Sequence, residues 1–135
     1  MLRSSILALI AGVAICLLLS GCATSSEVRA KQALFQRTIP TCDGEKDCNA
    51  KWEAAQLWIV HNSGYKLQTV TNVLLETYNP GRHDTKLAVR VTKEPLGGGK
   101  YMIIVTTWCN NMFGCTRNTW DAALDFNVKV DAARP

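Results

Sequence analysis

Apolar and polar residues alternate with two different periods along the chain, and the change of period marks out its elements. Cys48, Trp52, Ala55 and Ile59 recur at steps of four, three and four, and Trp58 widens the stripe. Lys46, Glu53 and Gln56 fall largely elsewhere, so the spacing predicts a helix over about Glu45–Asn62 with one buried face. Asp43 is its expected N-cap, and Asn62-Ser63-Gly64 its expected stop with Gly64 left-handed. After Gly64 the period becomes two. "YKLQTV" and "VLLETY" read as strands with a turn near Thr71-Asn72, and "NPGRHD" is a turn built on Pro80-Gly81. Leu87, Val89 and Val91 alternate with Ala88, Arg90 and Thr92 as in a half-buried strand. "PLGGGK" closes a hairpin onto "YMIIVTTW", the most apolar strand and the one expected at the sheet centre. A last helix starts near Asn118 or Thr119, with Trp120, Ala123, Leu124 and Asn127 on one face and Val128 adjoining. Phe126 and Val130 lie off that stripe. The expected fold is α+β: helix, four-stranded antiparallel meander, helix, with both helices packed on one sheet face.

The first segment follows neither period. Met1-Leu2-Arg3 is a short cationic start, and Ile6 to Leu19 is unbroken apolar sequence. As a helix this run spans about 21 Å, short of the roughly 30 Å hydrocarbon core, so it suits a signal peptide better than a membrane span. Its exit, Leu19-Ser20-Gly21-Cys22, resembles the lipobox of bacterial lipoproteins. That resemblance implies a diacylglyceryl group on the Cys22 thiol, cleavage between Gly21 and Cys22, and acylation (palmitate among the chains) of the new amine. Cys16 leaves with the signal, residues 1–21. One acyl chain binds membranes only marginally, and two or three bind firmly. Ala23 stands where Asp resembles an inner-membrane retention signal in this family, which favours the outer membrane. Residues 22–41 are then the lipidated cysteine and a flexible tether, with a helical turn or two around Val28 to Phe35. Nineteen extended residues reach about 60 Å.

Residues 42–135 suffice for one domain. Fifteen Lys and Arg face 11 Asp and Glu, and the leader removes Arg3 from that excess. The charges are interspersed, and no stretch joins dense cations to stacking aromatics, so nucleic acid is not an expected partner. Cys42, Cys48, Cys109 and Cys115 form two C-x5-C pairs, "CDGEKDC" and "CNNMFGC". An even count in a small exported domain reads as two disulfides. Local closure, Cys42–Cys48 and Cys109–Cys115, is favoured, with cross-links between the two regions as the rival. Each bond is worth about 2–4 kcal/mol. No C-x2-C is present, and His61 and His83 are isolated, so neither a metal nor any other cofactor is expected.

Catalytic signatures are also missing: there is no G-x-S-x-G or H-E-x-x-H, and Gly97-Gly98-Gly99 precedes a strand rather than a helix. Glu53, Glu76 and Asp121 are scattered carboxylates that suit a solvated surface or a helix terminus. The best foothold for binding is the Cys109–Cys115 loop, which holds Met112 and Phe113. These two form an apolar anchor if exposed. The favoured alternative has Phe113 folding back under the sheet edge as a core plug. Tyr78 and Arg82 are neighbours that such a patch could recruit.

The strings "WEAAQLWIVHNSGYKLQT", "ETYNP", "RVTKEPLG", "TTWCNNMFGC" and "WDAALDFN" are similar to those of a group of small proteobacterial lipoproteins, over residues 42–127. The resemblance implies an envelope location and the cysteine pattern, and it supplies no catalytic residues. The "SGxxY" pattern of lysozyme-inhibitor lipoproteins is not met, because Tyr65 follows Ser63-Gly64 directly. The expectation is a non-catalytic binding or envelope-assembly accessory lipoprotein. It is anchored in the outer membrane through lipid on Cys22, faces the periplasm, and binds an unknown envelope protein. A periplasmic inhibitor or immunity-like protein is the alternative, and an enzyme comes third.

Overall fold

A computed structural model describes residues 25–135. Gly21, Cys22 and the rest of the expected signal segment, residues 1–21, lie outside the described residues. The elements run α1 (Ser26–Thr38), β1 (Thr41–Asp43), α2 (Gly44–Asn62), β2 (Leu67–Val70), β3 (Leu74–Thr77), β4 (Ala88–Gly97), β5 (Lys100–Trp108) and α3 (Thr119–Asp131). The mixed α+β class and the β2–β5 meander are as the sequence pattern predicts. The element count is not: among the described residues there are three helices, and the antiparallel sheet has five strands in the order β1-β5-β4-β3-β2. The extra strand is only three residues long, too short to show a period. It forms because Thr41 to Asp43 align with Met102 to Lys100 at the start of β5. Since β1 lies outside β5, β4 and not β5 is the central strand.

The first helix is also longer than the expected turn or two. α1 occupies Ser26–Thr38, and Phe35 is buried in the core. The Asn127 amide of α3 donates to the Phe35 carbonyl and to Thr38 Oγ1, and Lys31 Nζ meets Asp121 at 2.7 Å. Residues 31–41 therefore belong to the packed domain rather than to a free tether. One apolar residue in a polar helix carries this attachment, which is why hydrophobic patterning understates it.

α2 follows its predicted face closely. Cys48, Trp52, Ala55, Trp58 and Ile59 are all buried. Asp43 occupies the N-cap position without capping through its side chain. Instead its own N–H donates to Asp47 Oδ2 at 2.9 Å. At the other end Gly64 is not left-handed. Its role is steric: a Cβ there would lie 2.4 Å from Lys86 Cβ, while Gly64 N–H donates to Leu87 O at 2.9 Å. The helix ends instead on extended Ser63, whose N–H bonds Ile59 O and whose Oγ donates to Leu87 O.

α3 starts where expected, with Asn118 Oδ1 accepting from the N–H groups of Trp120 and Asp121, an ordinary N-cap arrangement. Its buried stripe is rotated from the predicted one: Ala122, Ala123, Phe126, Asn127 and Val130 are inside. Phe126 and Val130 define the stripe rather than depart from it, and Trp120 and Leu124 flank it. The ring of Trp58 packs edge-on against Phe126 at 5.3 Å, and Phe35 against Trp120 at 5.8 Å. These side chains share one core with Leu75, Val89, Val91, Ile103 and Val105, alternate residues on one sheet face. Each fully buried large apolar side chain contributes about 1.5–3 kcal/mol.

Candidate functional site

The candidate site is the loop that joins β5 to α3. Its covalent frame is the Cys109–Cys115 disulfide, and Cys42–Cys48 forms the second bond, joining β1 to the first turn of α2. The local pairing expected from the two C-x5-C spacings is thus the one adopted.

Inside the ring, Asn111-Met112-Phe113-Gly114 makes a tight turn. Gly114 N–H donates to Asn111 O at 3.2 Å, and Phe113 N–H donates to Asn111 Oδ1 at 2.9 Å. Gly114 has φ +106°, a backbone region that disfavours any residue with a Cβ. Met112 and Phe113 take the two central positions, where side chains point away from both stems. They are 85% and 93% exposed. The expected core plug is therefore overturned. The disulfide and the two Asn111 hydrogen bonds hold the tip in this outward turn.

The loop is also fastened from outside. Asn110 N–H donates to Asp84 O at 3.1 Å, and Thr116 N–H to Thr85 O at 2.8 Å. The Asn111 side-chain amide donates to His83 O at 2.7 Å, and the hydroxyls of Thr116 and Thr85 lie 2.9 Å apart. His83 itself has φ +63°. Asn111 thus both shapes the turn and ties it to the neighbouring loop. Its signal in the sequence is the Asn-x-x-Gly spacing of a turn; its long-range bond to His83 has none.

Charges near this frame are arranged to hold it. Burial first, and then the adjacent Asp84 carboxylate, push the Tyr65 phenol up to about 12. Asp84 is in turn held below its usual value, first by the Tyr65 hydroxyl and then by the Lys86 N–H, which donates to Asp84 Oδ1 at 3.0 Å. Tyr78 and Arg82 are both exposed.

The carboxylates singled out from the sequence are not gathered together. Glu76 pairs with Arg90 at 2.6 Å on the sheet, Asp121 pairs with Lys31, and Glu53 is exposed on α2. Among the described residues no three His, Cys, Asp or Glu side chains converge as a metal site would need. No helix among them is long and apolar enough to cross a membrane. Comparison with known protein families, characterised proteins and solved structures found no match.

Proposed function

We propose that this protein is a non-catalytic binding module of the bacterial cell envelope, tethered to the outer membrane through lipid on Cys22 and facing the periplasm. Its grip on a partner protein is the Met112-Phe113 turn. One observation carries the binding assignment: two large apolar side chains stand 85% and 93% exposed on a turn closed by a disulfide. An apolar tip in water is unfavourable unless something covers it. A tip already ordered by a disulfide and six hydrogen bonds loses little freedom on binding, so more of its burial is expressed as affinity. The envelope location rests on the lipobox-like Leu19-Ser20-Gly21-Cys22 and on two disulfides, which persist in oxidising compartments.

The test uses the full chain, purified oxidised in detergent, with a photo-reactive residue at position 113. It is compared with Met112→Ser/Phe113→Ser in pull-downs from solubilised envelopes. A protein cross-linked through position 113 and lost with the double variant supports the reading. Equal retention by both baits, or none by either, ends it. Cys22→Ala is expected to release the protein from the membrane fraction, and normal retention would sink the anchoring claim.

A further inference from the structure

β5 has an open edge beside a built apolar notch. Its first residues are covered: β1 pairs with Lys100 to Met102, and Ile103 N–H donates to Pro40 O at 2.9 Å. The Ile103 bond fixes the parity of the strand. Odd-numbered residues turn their N–H and C=O groups away from β4, so Val105 and Thr107 present theirs outward past the point where β1 stops. Among the described residues nothing hydrogen-bonds these four groups. The Thr107 hydroxyl is engaged, donating to Thr119 O at 2.9 Å.

Alongside this edge lies a cavity of about 270 Å³, lined by Phe35, Ile104 to Thr107, Thr119, Trp120 and Ala123. Its walls come from α1, β5 and α3, and its rims are aromatic. The opposite sheet edge differs. β2 is four residues long and carries a register shift between Leu67 and Thr69, the kind of irregularity that blunts an edge. Ile104 to Trp108 holds regular register with β4 and contains no Lys, Pro or bulge.

We propose that an extended segment of a partner polypeptide adds to this edge as a sixth strand, continuing the ladder that β1 begins, and seats one apolar side chain in the Phe35–Trp120–Ala123 notch. Outward N–H and C=O groups at alternate residues match the spacing of an extended main chain, and strand addition draws affinity from these bonds and specificity from the side-chain pocket. The established β1–β5 pairing runs into the open stretch without interruption, so an incoming strand meets a preformed template. This site is separate from the Met112-Phe113 turn and stands or falls without it.

The test follows amide exchange of the full chain by NMR. The probe is an uncharged-centre peptide of alternating Val and Thr with terminal Lys, set against the same peptide N-methylated through its centre. In the free protein, Val105 and Thr107 amides are expected to exchange far faster than Ile104 and Thr106. Saturation with the probe slows them at least tenfold, and N-methylation weakens binding at least tenfold. Val105→Pro removes one outward donor, and Ala123→Leu fills the notch while leaving the backbone intact. Both positions belong to the core, so each variant is assayed well below its own melting temperature; each is expected to weaken binding at least fivefold while folded, and Ala123→Leu carries the test if Val105→Pro does not fold. Met112→Ser/Phe113→Ser is expected to bind the peptide normally, which separates this proposal from the preceding one. The proposal is overturned by Val105 and Thr107 amides already protected in dilute free protein, by protection that grows with protein concentration alone (a second copy on the edge), or by absence of peptide-induced protection. Undiminished binding by Ala123→Leu overturns it as well.

Discussion

Trp58 of α2 donates its indole N–H to Asp125 Oδ2 of α3 at 2.8 Å, and Arg117 reaches the same oxygen at 3.2 Å while its guanidinium lies 5.8 Å from the centre of the Trp58 ring. Trp58 thus meets two residues far along the chain, Arg117 and Asp125, and together they close the seam between the two helices. Burial opposes the charge on Asp125, but the Trp58 and Arg117 hydrogen bonds and the Arg117 charge outweigh it and hold the carboxyl below its usual value. Replacing Asp125 by Ala leaves a buried indole N–H without its acceptor. Hydrogen bonds to charged groups are worth about 1.5–3 kcal/mol, and Asp125 is partly solvated, so a loss of about 1–2 kcal/mol is expected in urea unfolding. An unchanged midpoint would show the seam to be held by packing alone.

Acid should weaken the fold through the same residue. Asp84 and Asp125 both have folded pKa values below their unfolded ones. Their contributions are complete above the ordinary carboxylate value of about 4 and are lost as pH falls through the folded values. Asp125→Asn is expected to flatten part of that acid limb between pH 5 and pH 2. Tyr65 acts on the alkaline side. Its pKa is raised to about 12, so the unfolded chain ionises first and stability falls from about pH 10 upward. Tyr65→Phe is expected to remove that slope.

Gly64→Ala tests the close approach of two backbones. The new Cβ would meet Lys86 Cβ at 2.4 Å, and a β-carbon cannot swing aside as a side-chain terminus can. Overpacking of this kind costs about 1–3 kcal/mol, measurable as a lowered denaturation midpoint. A neutral outcome would mean that the 83–87 segment shifts freely.

The two disulfides should differ in cost. Their rings are equal in length, and constraining the unfolded chain over so short a loop is worth about 2 kcal/mol for each. Cys42 and Cys48 are also 2% and 4% exposed and sit in the core, so Cys42→Ser/Cys48→Ser adds the burial of two hydroxyls. That pair is expected to destabilise the domain more than Cys109→Ser/Cys115→Ser, compared by thermal melts at one pH.

Met112→Ser/Phe113→Ser should leave stability within about 0.5 kcal/mol of the parent, as surface changes do. A large loss in melting temperature would mean that the tip packs against the domain in solution and is not the free anchor seen here.

The sequence by itself determined the α+β class, the extent of α2, the meander from β2 to β5 and the start of α3, and it favoured the two local disulfides over cross-links that the structure then excludes. Each rests on information held within a few residues: a hydrophobic period, a turn residue, a cap or a short cysteine spacing. The tertiary structure decided what depends on distant partners. β1 exists because β5 offers it an edge, and α1 is docked by Phe35 and by the Asn127 amide of a helix some ninety residues away. Phe126 and Val130 are inside because α3 rotates to meet Trp58, which local periodicity cannot encode. The exposure of Met112 and Phe113 was equally hidden, since an apolar pair in a loop reads the same whether it plugs a core or faces water. Which it does is set with the help of the Asn111–His83 and Thr116–Thr85 bonds, and those form because the segments before β4 and after β5 meet at the open end of the β4–β5 hairpin, where Ala88 pairs with Trp108.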